Sequence, residues 1–344
     1  MTYILLLSTV VAFANERTEN NGNLILKNIP LIPESIEQDL TQYQNVRSAP
    51  FRGFNQEGDE IFITTRFGNV SQLHRVRKQG GAREQITFFN EPIGSISRKP
   101  GGQSIAFTMD AGGTENNQIF LLDTNDGSSV MLTDGKSRNG GPLWEKNGSR
   151  IAFQSTRRNG QSNDVWMMDS KDSNSAEMIL ESPDGTWWGP SDWSKDGKKI
   201  LIQNYISITN SNAYILDVES KKKEMILGSS EIESYNAILS FDRSQNGVFF
   251  LTNEYGEFNQ LAHKDLKNNK VSVLTKDIPW DIDGFAISSD HKRAAFTANE
   301  GGMSSLYLMD TASMKYRKVK SIPIGLVGGT QFSDCLLYTS DAAD

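Results

Sequence analysis

The sequence predicts an all-β fold, a β-propeller of four-stranded blades with six complete blades and the start of a seventh. Three observations carry that expectation. A bulky apolar lead residue followed by a polar turn recurs at intervals of 42 to 49 residues, and an aspartate that closes an apolar strand recurs at intervals of 45 to 48. The stretches between these marks are short apolar runs bounded by Gly, Asn and Asp, the pattern of strands joined by hairpins. Two independent marks that keep one period define a structural repeat.

The lead marks, in order, are Phe54-Asn-Gln-Glu-Gly58, Ile96-Ser-Arg-Lys-Pro-Gly-Gly102, Trp144-Glu-Lys-Asn-Gly148, Trp193-Ser-Lys-Asp-Gly197, Phe241-Asp-Arg-Ser-Gln-Asn-Gly247, Ile287-Ser-Ser-Asp-His291 and Phe332-Ser333. The aspartates are Asp123, Asp169, Asp217, Asp265 and Asp310. Within one unit, Ser149–Ser155, Asp164–Asp169 and Glu177–Leu180 are strands, and the strand holding the lead residue is the fourth. A four-stranded unit of this length that recurs six times is a propeller blade. No unit holds two segments with an apolar 3.6-residue period, which excludes a helical solenoid. The strands are short and often apolar on both faces, which disfavours an outer-membrane barrel.

The complete blades run from about Arg47 to Ile324, and Gly328–Ser333 begins the seventh. A ring one blade short would expose two bare strand edges. In the alternative, the last segment pairs with blade one and closes a six-bladed ring; the in-register Phe332-Ser333 favours seven.

The chain has 344 residues with 35 Lys and Arg against 42 Asp and Glu, a net charge of −7. No basic block is present, so a nucleic-acid surface is not expected. A single cysteine, Cys335, rules out a disulfide scaffold and multi-cysteine zinc sites. The scattered His74, His263 and His291 suggest no metal centre, and no cofactor is implied.

The ends differ from the middle. Met1–Ala14 carries an apolar run, Tyr3 to Phe13, too short to span a bilayer and followed by a small-x-small triplet, Ala12-Phe13-Ala14. It has the form of a signal peptide, although it lacks a preceding Lys or Arg; a truncated start or a buried strand is the bland alternative. Export predicts a periplasmic or secreted protein beginning near Asn15, with residues 15–46 as an extension before blade one and no membrane attachment after cleavage. At the other end, Cys335–Asp344 has neither the period nor the turn logic of the blades. It resembles the translated end of a transposase-based sequencing adapter, with every residue in one reading frame. On that reading natural sequence stops at Ser333, the protein continued beyond it, and the natural portion has no cysteine.

Ser149–Gly160 followed by Asp164–Asp169 resembles the periplasmic TolB-type propeller repeat. The beginning of the chain is more particular. Tyr43–Phe51, Thr65-Arg-Phe-Gly-Asn69 with Gln72–Val76, and Gly80–Phe89 resemble the N-terminal propeller of the prolyl oligopeptidase family, above all its exported dipeptidyl or acylaminoacyl peptidase-like members. The likeness is specific over residues 36–133 and generic afterwards. It implies a serine peptidase acting on short peptides, with the propeller set over its own C-terminal α/β-hydrolase domain as a steric gate. That family's serine lies in a Gly-x-Ser-x-Gly elbow. The elbow is absent: Gly189-Pro-Ser-Asp-Trp193 has the first glycine and not the second. No catalytic residue can be assigned to this chain. A non-enzymatic TolB-like propeller that binds a protein partner is the alternative.

In a propeller, the loops between strands two and three and the linkers between blades share one face, which usually carries function. Trp187 and Trp188 enter blade four there, and Glu231 and Glu233 enter blade five. The rings are candidates to bound a peptide channel and the carboxylates to bind a peptide's free amine. The competing reading makes the tryptophans inter-blade core and the glutamates a solvated turn. Asp123-Thr-Asn-Asp-Gly127 lacks the ligand pattern of a calcium loop and is expected to be a hairpin turn. Lys221-Lys-Lys223 is expected to be a solvated hairpin tip. His74 and His263 occupy equivalent strand positions and are expected to pack; His291 lies in a turn.

Overall fold

The computed structural model describes residues 16–229 and 231–333, so the expected leader and the segment Cys335–Asp344 lie outside the described residues. A small hairpin of β1 (Glu16–Glu19) and β2 (Leu24–Lys27) comes first, then the helix α1 (Glu34–Gln44). Blade one is β3 (Phe51–Phe54), β4 (Ile61–Thr65), β5 (Gln72–Val76) and β6 (Glu84–Gln85). Blade two is β7 (Ile93–Arg98), β8 (Ser104–Met109), β9 (Gln118–Asp123) and β10 (Ser129–Met131). Blade three is β11 (Asn139–Trp144), β12 (Arg150–Ser155), β13 (Asp164–Asp169) and β14 (Asp172–Leu180). Blade four is β15 (Trp187–Trp193), β16 (Lys199–Ser207), β17 (Asn210–Asp217) and β18 (Lys223–Leu227). Blade five is β19 (Asn236–Phe241), β20 (Gly247–Thr252), β21 (Gln260–Asp265) and β22 (Val271–Val273). Blade six is β23 (Ile282–Ile287), β24 (Arg293–Asn299), β25 (Ser304–Asp310) and β26 (Lys315–Lys318). Each blade is an antiparallel sheet in chain order, and the six form a ring.

Turn chemistry explains the regular aspartates. Each of the five ends the third strand of its blade, and its carboxylate accepts a backbone N–H two or three residues on: Asn125, Lys171, Ser220, Lys267 and Ser313. An Asx turn of this kind starts the hairpin to the outermost strand.

The lead residues explain the packing. Ile96, Trp144, Trp193, Phe241 and Ile287 each belong to an innermost strand and pack in or against the core shared with the preceding blade. Trp144 lies in the core between blades two and three, Trp193 between three and four, Phe241 between four and five, while Ile96 and Ile287 flank the cores on either side. Hydrogen bonds follow the same step: the Trp144 indole donates to Ser97 O at 3.0 Å and the Trp193 indole to Leu143 O at 3.2 Å. Near the base of the inner strands, Lys146 pairs with Asp192 at 2.5 Å. Asp192 in turn accepts the Phe241 N–H at 3.0 Å, and His291 meets Phe241 O at 3.0 Å, so one polar chain crosses four blades.

Five apolar clusters thus join blades one to six in series. Among the described residues no such cluster joins blade six to blade one. That gap is crossed by a strap. Ser304 N, in blade six, donates to Gly325 O, while a side chain built on Gly53 of blade one would meet Gln331 Oε1 at 2.9 Å. Residues 328–333, expected to begin a seventh blade, form no strand and lie beside β3, with Ser333 buried. The extension before blade one contains β1, β2 and α1.

Candidate functional site

Because successive strands of a blade run antiparallel, the loops between strands two and three and the inter-blade linkers leave at one end of the ring, here termed the linker end. The strand alternation that builds β15 separates the two tryptophans. Trp188 is 2% exposed. It packs against Tyr214 with ring centroids 5.1 Å apart, lies under Lys223 Nζ at 4.0 Å, and donates from its indole to Asp184 at 3.2 Å. It is part of the core between blades three and four. Trp187 is 39% exposed. Its ring lies over the backbone of Gly189, where a Cβ would come within 2.6 Å of Cη2 and would also strike the Gln154 amide from blade three. The glycine is therefore a seat for the indole.

Glu231 and Glu233 lie exposed in the linker to blade five, and neither forms an ion pair among the described residues. The linker ends at Tyr235, whose N–H donates to Asn253 Oδ1 at 2.9 Å, tying it to the loop between the second and third strands of blade five. Burial, and then the neighbouring Tyr205 phenol, pushes the Tyr235 hydroxyl up. Tyr205 is the register partner of Trp187. Tyr205, opposite Trp187, and Tyr235, at the end of the glutamate linker, are residues that the sequence reading did not single out. Tyr205, near the end of β16, and Tyr255, just after β20, lie toward the same end of the second strands of adjacent blades, a signal that could have found this edge.

The remaining candidates are structural. His74 is buried, meets Gln72 O at 3.0 Å, and has its pKa lowered chiefly by burial. His263 meets Asp242 Oδ2 at 3.0 Å, and Ser244 donates to the other oxygen of that carboxylate. The serine is thus bonded to the aspartate rather than to the imidazole, so no nucleophile is activated. His291 is buried in its turn, its pKa lowered by burial and then by Lys146. Asp123–Gly127 is a hairpin turn, and no group of potential metal ligands occurs among the described residues. Lys221–Lys223 are exposed, as expected of a hairpin tip, but two of the three side chains are engaged. Lys221 reaches Glu177 at 2.8 Å in blade three, and Lys223 covers Trp188 of its own blade, because long lysine stems can lie along neighbouring surface. No helix among the described residues is long and apolar enough to cross a membrane.

The family model for the N-terminal β-propeller domain of prolyl oligopeptidase matches residues 91–279, more than half the chain and well into the blades that looked generic by sequence. The uncharacterized peptidase YuxL of Bacillus subtilis is 26% identical over 181 residues, covering 53% of this chain. The chain spans only 25% of that relative's length. A prolyl endopeptidase structure superposes on 93% of the chain and 53% of its own, with a TM-score of 0.65 at 12% identity. TolB from Acinetobacter baumannii superposes on 90% of the chain and 77% of its own, with a TM-score of 0.52 at 14% identity.

Proposed function

The chain belongs to the prolyl oligopeptidase N-terminal β-propeller family, and on that premise we propose that it is the substrate-gating propeller of a serine peptidase that hydrolyses short peptides. The observation that carries the reading is the linker end of blades four and five. There an exposed indole, Trp187, and two carboxylates without ion pairs, Glu231 and Glu233, lie on adjacent blades. Rings and free carboxylates suit a peptide, the first by stacking on its apolar parts and the second by binding its amine. Trp188 serves this surface from below by fixing the start of β15.

In this reading the catalytic serine, with its aspartate and histidine, belongs to an α/β-hydrolase domain outside this chain, and the propeller contributes access rather than chemistry. The gene tests the arrangement: its reading frame past Ser333 should encode a Gly-x-Ser-x-Gly elbow, and a stop codon directly after blade six would overturn the proposal. In the enzyme containing that domain, the combined Trp187→Ala, Glu231→Gln and Glu233→Gln variant should raise KM for short peptides about tenfold with little change in kcat. An unchanged KM would remove these side chains from the gate.

The export reading gives a periplasmic or secreted location, and N-terminal sequencing of the protein from its native host should begin near Asn15. A mature chain still starting at Met1 would refute it. The second functional reading is a TolB-like propeller that binds a protein partner, supported by the TolB superposition over 90% of the chain.

A further inference from the structure

We infer that Arg157, at the linker end of blade three, binds the carboxylate of a peptide through the open fork of its guanidinium. The inference rests on the peptide-gating reading, which supplies the ligand class, and adds a site for the peptide's negative group.

The backbone around Arg157 is fixed on both sides. Ser155 closes β12 with no exposed surface, and Thr156 is 2% exposed. Thr156 bonds twice to Arg138, in the linker from blade two: Thr156 N donates to Arg138 O at 3.0 Å, and Arg138 N donates to Thr156 Oγ1 at 3.1 Å. The turn that follows starts from Thr156 O, which accepts from Asn159 N and Gly160 N.

The side chain is then laid across two rings and held at one edge. Its Cζ lies 4.7 Å from the ring centroid of Trp166 and 5.3 Å from that of Phe153, register partners on β13 and β12. Nε donates to Ser155 Oγ at 3.2 Å. The edge formed by Nη1 and Nη2 remains. Nη2 is buried without a hydrogen-bond partner; Nη1 forms no hydrogen bond either and, in this half-buried residue, is the amine that solvent reaches.

No side chain fills that edge. Arg157 forms no ion pair among the described residues. Asp134 acts on it through its charge, but the oxygens of that carboxylate accept from Lys136 N, Ser137 N and Ser137 Oγ. Other arginines of the blade show what is missing. Arg158 holds Asp164 by two bonds, at 2.8 and 3.0 Å, and Arg150 holds Glu145 by two, at 2.7 and 3.0 Å. Arg157 has the same fork with no carboxylate in it.

A second donor in the stack is in the same condition. The indole Nε1 of Trp166, the ring beneath the guanidinium, is buried without an acceptor. The buried Oδ1 of Asn139, on the strand opposite Ser155, bonds neither donor. Burial also lowers the Arg157 pKa, as expected of a desolvated cation that lacks a counter-ion. A carboxylate supplies the opposite charge and two acceptors in the spacing of the fork. A cationic group would meet like charge, and a neutral amide brings one acceptor and no charge.

The test is calorimetric titration of the purified chain with three N-acetylated pentapeptides in an alanine background. The first has a central glutamate and an amidated C-terminus, the second a central glutamine and an amidated C-terminus, and the third a central glutamine and a free C-terminal carboxylate. A carboxylate-bearing peptide should bind about tenfold more tightly than the blocked glutamine peptide. Which of the two does so assigns the group to a side chain or to a chain terminus. The preference should disappear in Arg157→Gln and fall in Arg157→Lys, which keeps the charge and loses the fork. It should persist in Arg138→Gln, on the adjoining linker. Equal binding of all three peptides to the parent chain would overturn the inference and leave the gating reading intact, whether or not the variants fold. A preference unchanged in folded Arg157→Gln, or lost in Arg138→Gln, would place the carboxylate on other residues and overturn it too. Failure of all three peptides to bind would remove the gating reading along with the inference.

Discussion

Replacing Trp193 by alanine is expected to lower the folding free energy by about 3–5 kcal/mol, the usual cost of truncating a buried aromatic side chain to a methyl group. Trp193 has no exposed surface and closes the inner strand of blade four against the core of blade three. Its loss would also free the Leu143 carbonyl and remove the ring face beneath the Arg150 guanidinium, 4.9 Å from the ring centroid. A domain of ordinary stability has roughly 5–15 kcal/mol in all, so the loss would be a large fraction of the total. Trp193→Phe separates the contributions. It keeps most of the ring and loses the indole donor, and should cost about 1 kcal/mol for the bond plus the smaller contact. Urea unfolding followed by circular dichroism measures both. A Trp193→Ala change of less than 1 kcal/mol would show that adjacent blades do not depend on this contact.

The second large effect is expected at Gly197, in the turn after the same strand. Its φ is +69°, a left-handed conformation, and a Cβ there would fall on Glu145 Oε1. Glu145 is buried and bonded to Arg150, which in turn donates to Gly197 O at 2.7 Å and so links blade three to blade four. Alanine would add backbone strain and push the carboxylate off its partner, together about 2–4 kcal/mol. The pair also sets an acid dependence. Burial raises the Glu145 carboxyl, but the Arg150 and Ser149 hydrogen bonds outweigh it and hold the pKa below its ordinary value of 4.5. Such a group contributes stability that is present above the unfolded pKa and is lost as pH falls through the lower folded value. In Gly197→Ala, stability should fall at neutral pH and decline less steeply below about pH 4.5. A variant with the parent's stability and the parent's acid limb would show that Glu145 and Arg150 are not coupled across the blades.

The blades were legible in the sequence because their marks are local. An aspartate that caps a turn and a bulky residue that ends an inner strand act within a few residues of chain, so the period survives in the text of the sequence. The division between Trp187 and Trp188 was equally local, since strand alternation sends neighbours to opposite faces. The reading treated them as a pair, and the structure gives one to solvent and one to the core. The hairpin of β1 and β2 also had its signal, the Asn21-Gly22 turn, but its four-residue strands are almost wholly exposed and carry no alternation to support it. The less legible features are those made across blades. The reach of Lys221 to Glu177 depends on which residues the ring brings face to face. The pairing of His263 with Asp242 depends on strand register within a blade.

The strap between blade six and blade one makes the ring a chain of five strong joints and one latch. Unfolding any blade means exposing an apolar core, whereas parting blade six from blade one exposes, among the described residues, no shared core and releases only the contacts of 325–333. Breathing of the ring is therefore energetically decoupled from melting of its parts. An aperture can open at that single seam, sideways, while every blade stays folded and the linker end of blades four and five keeps its shape. Admission and recognition then sit on different segments of the circle, and substitutions at the latch would change how often a peptide enters without changing which peptide is held.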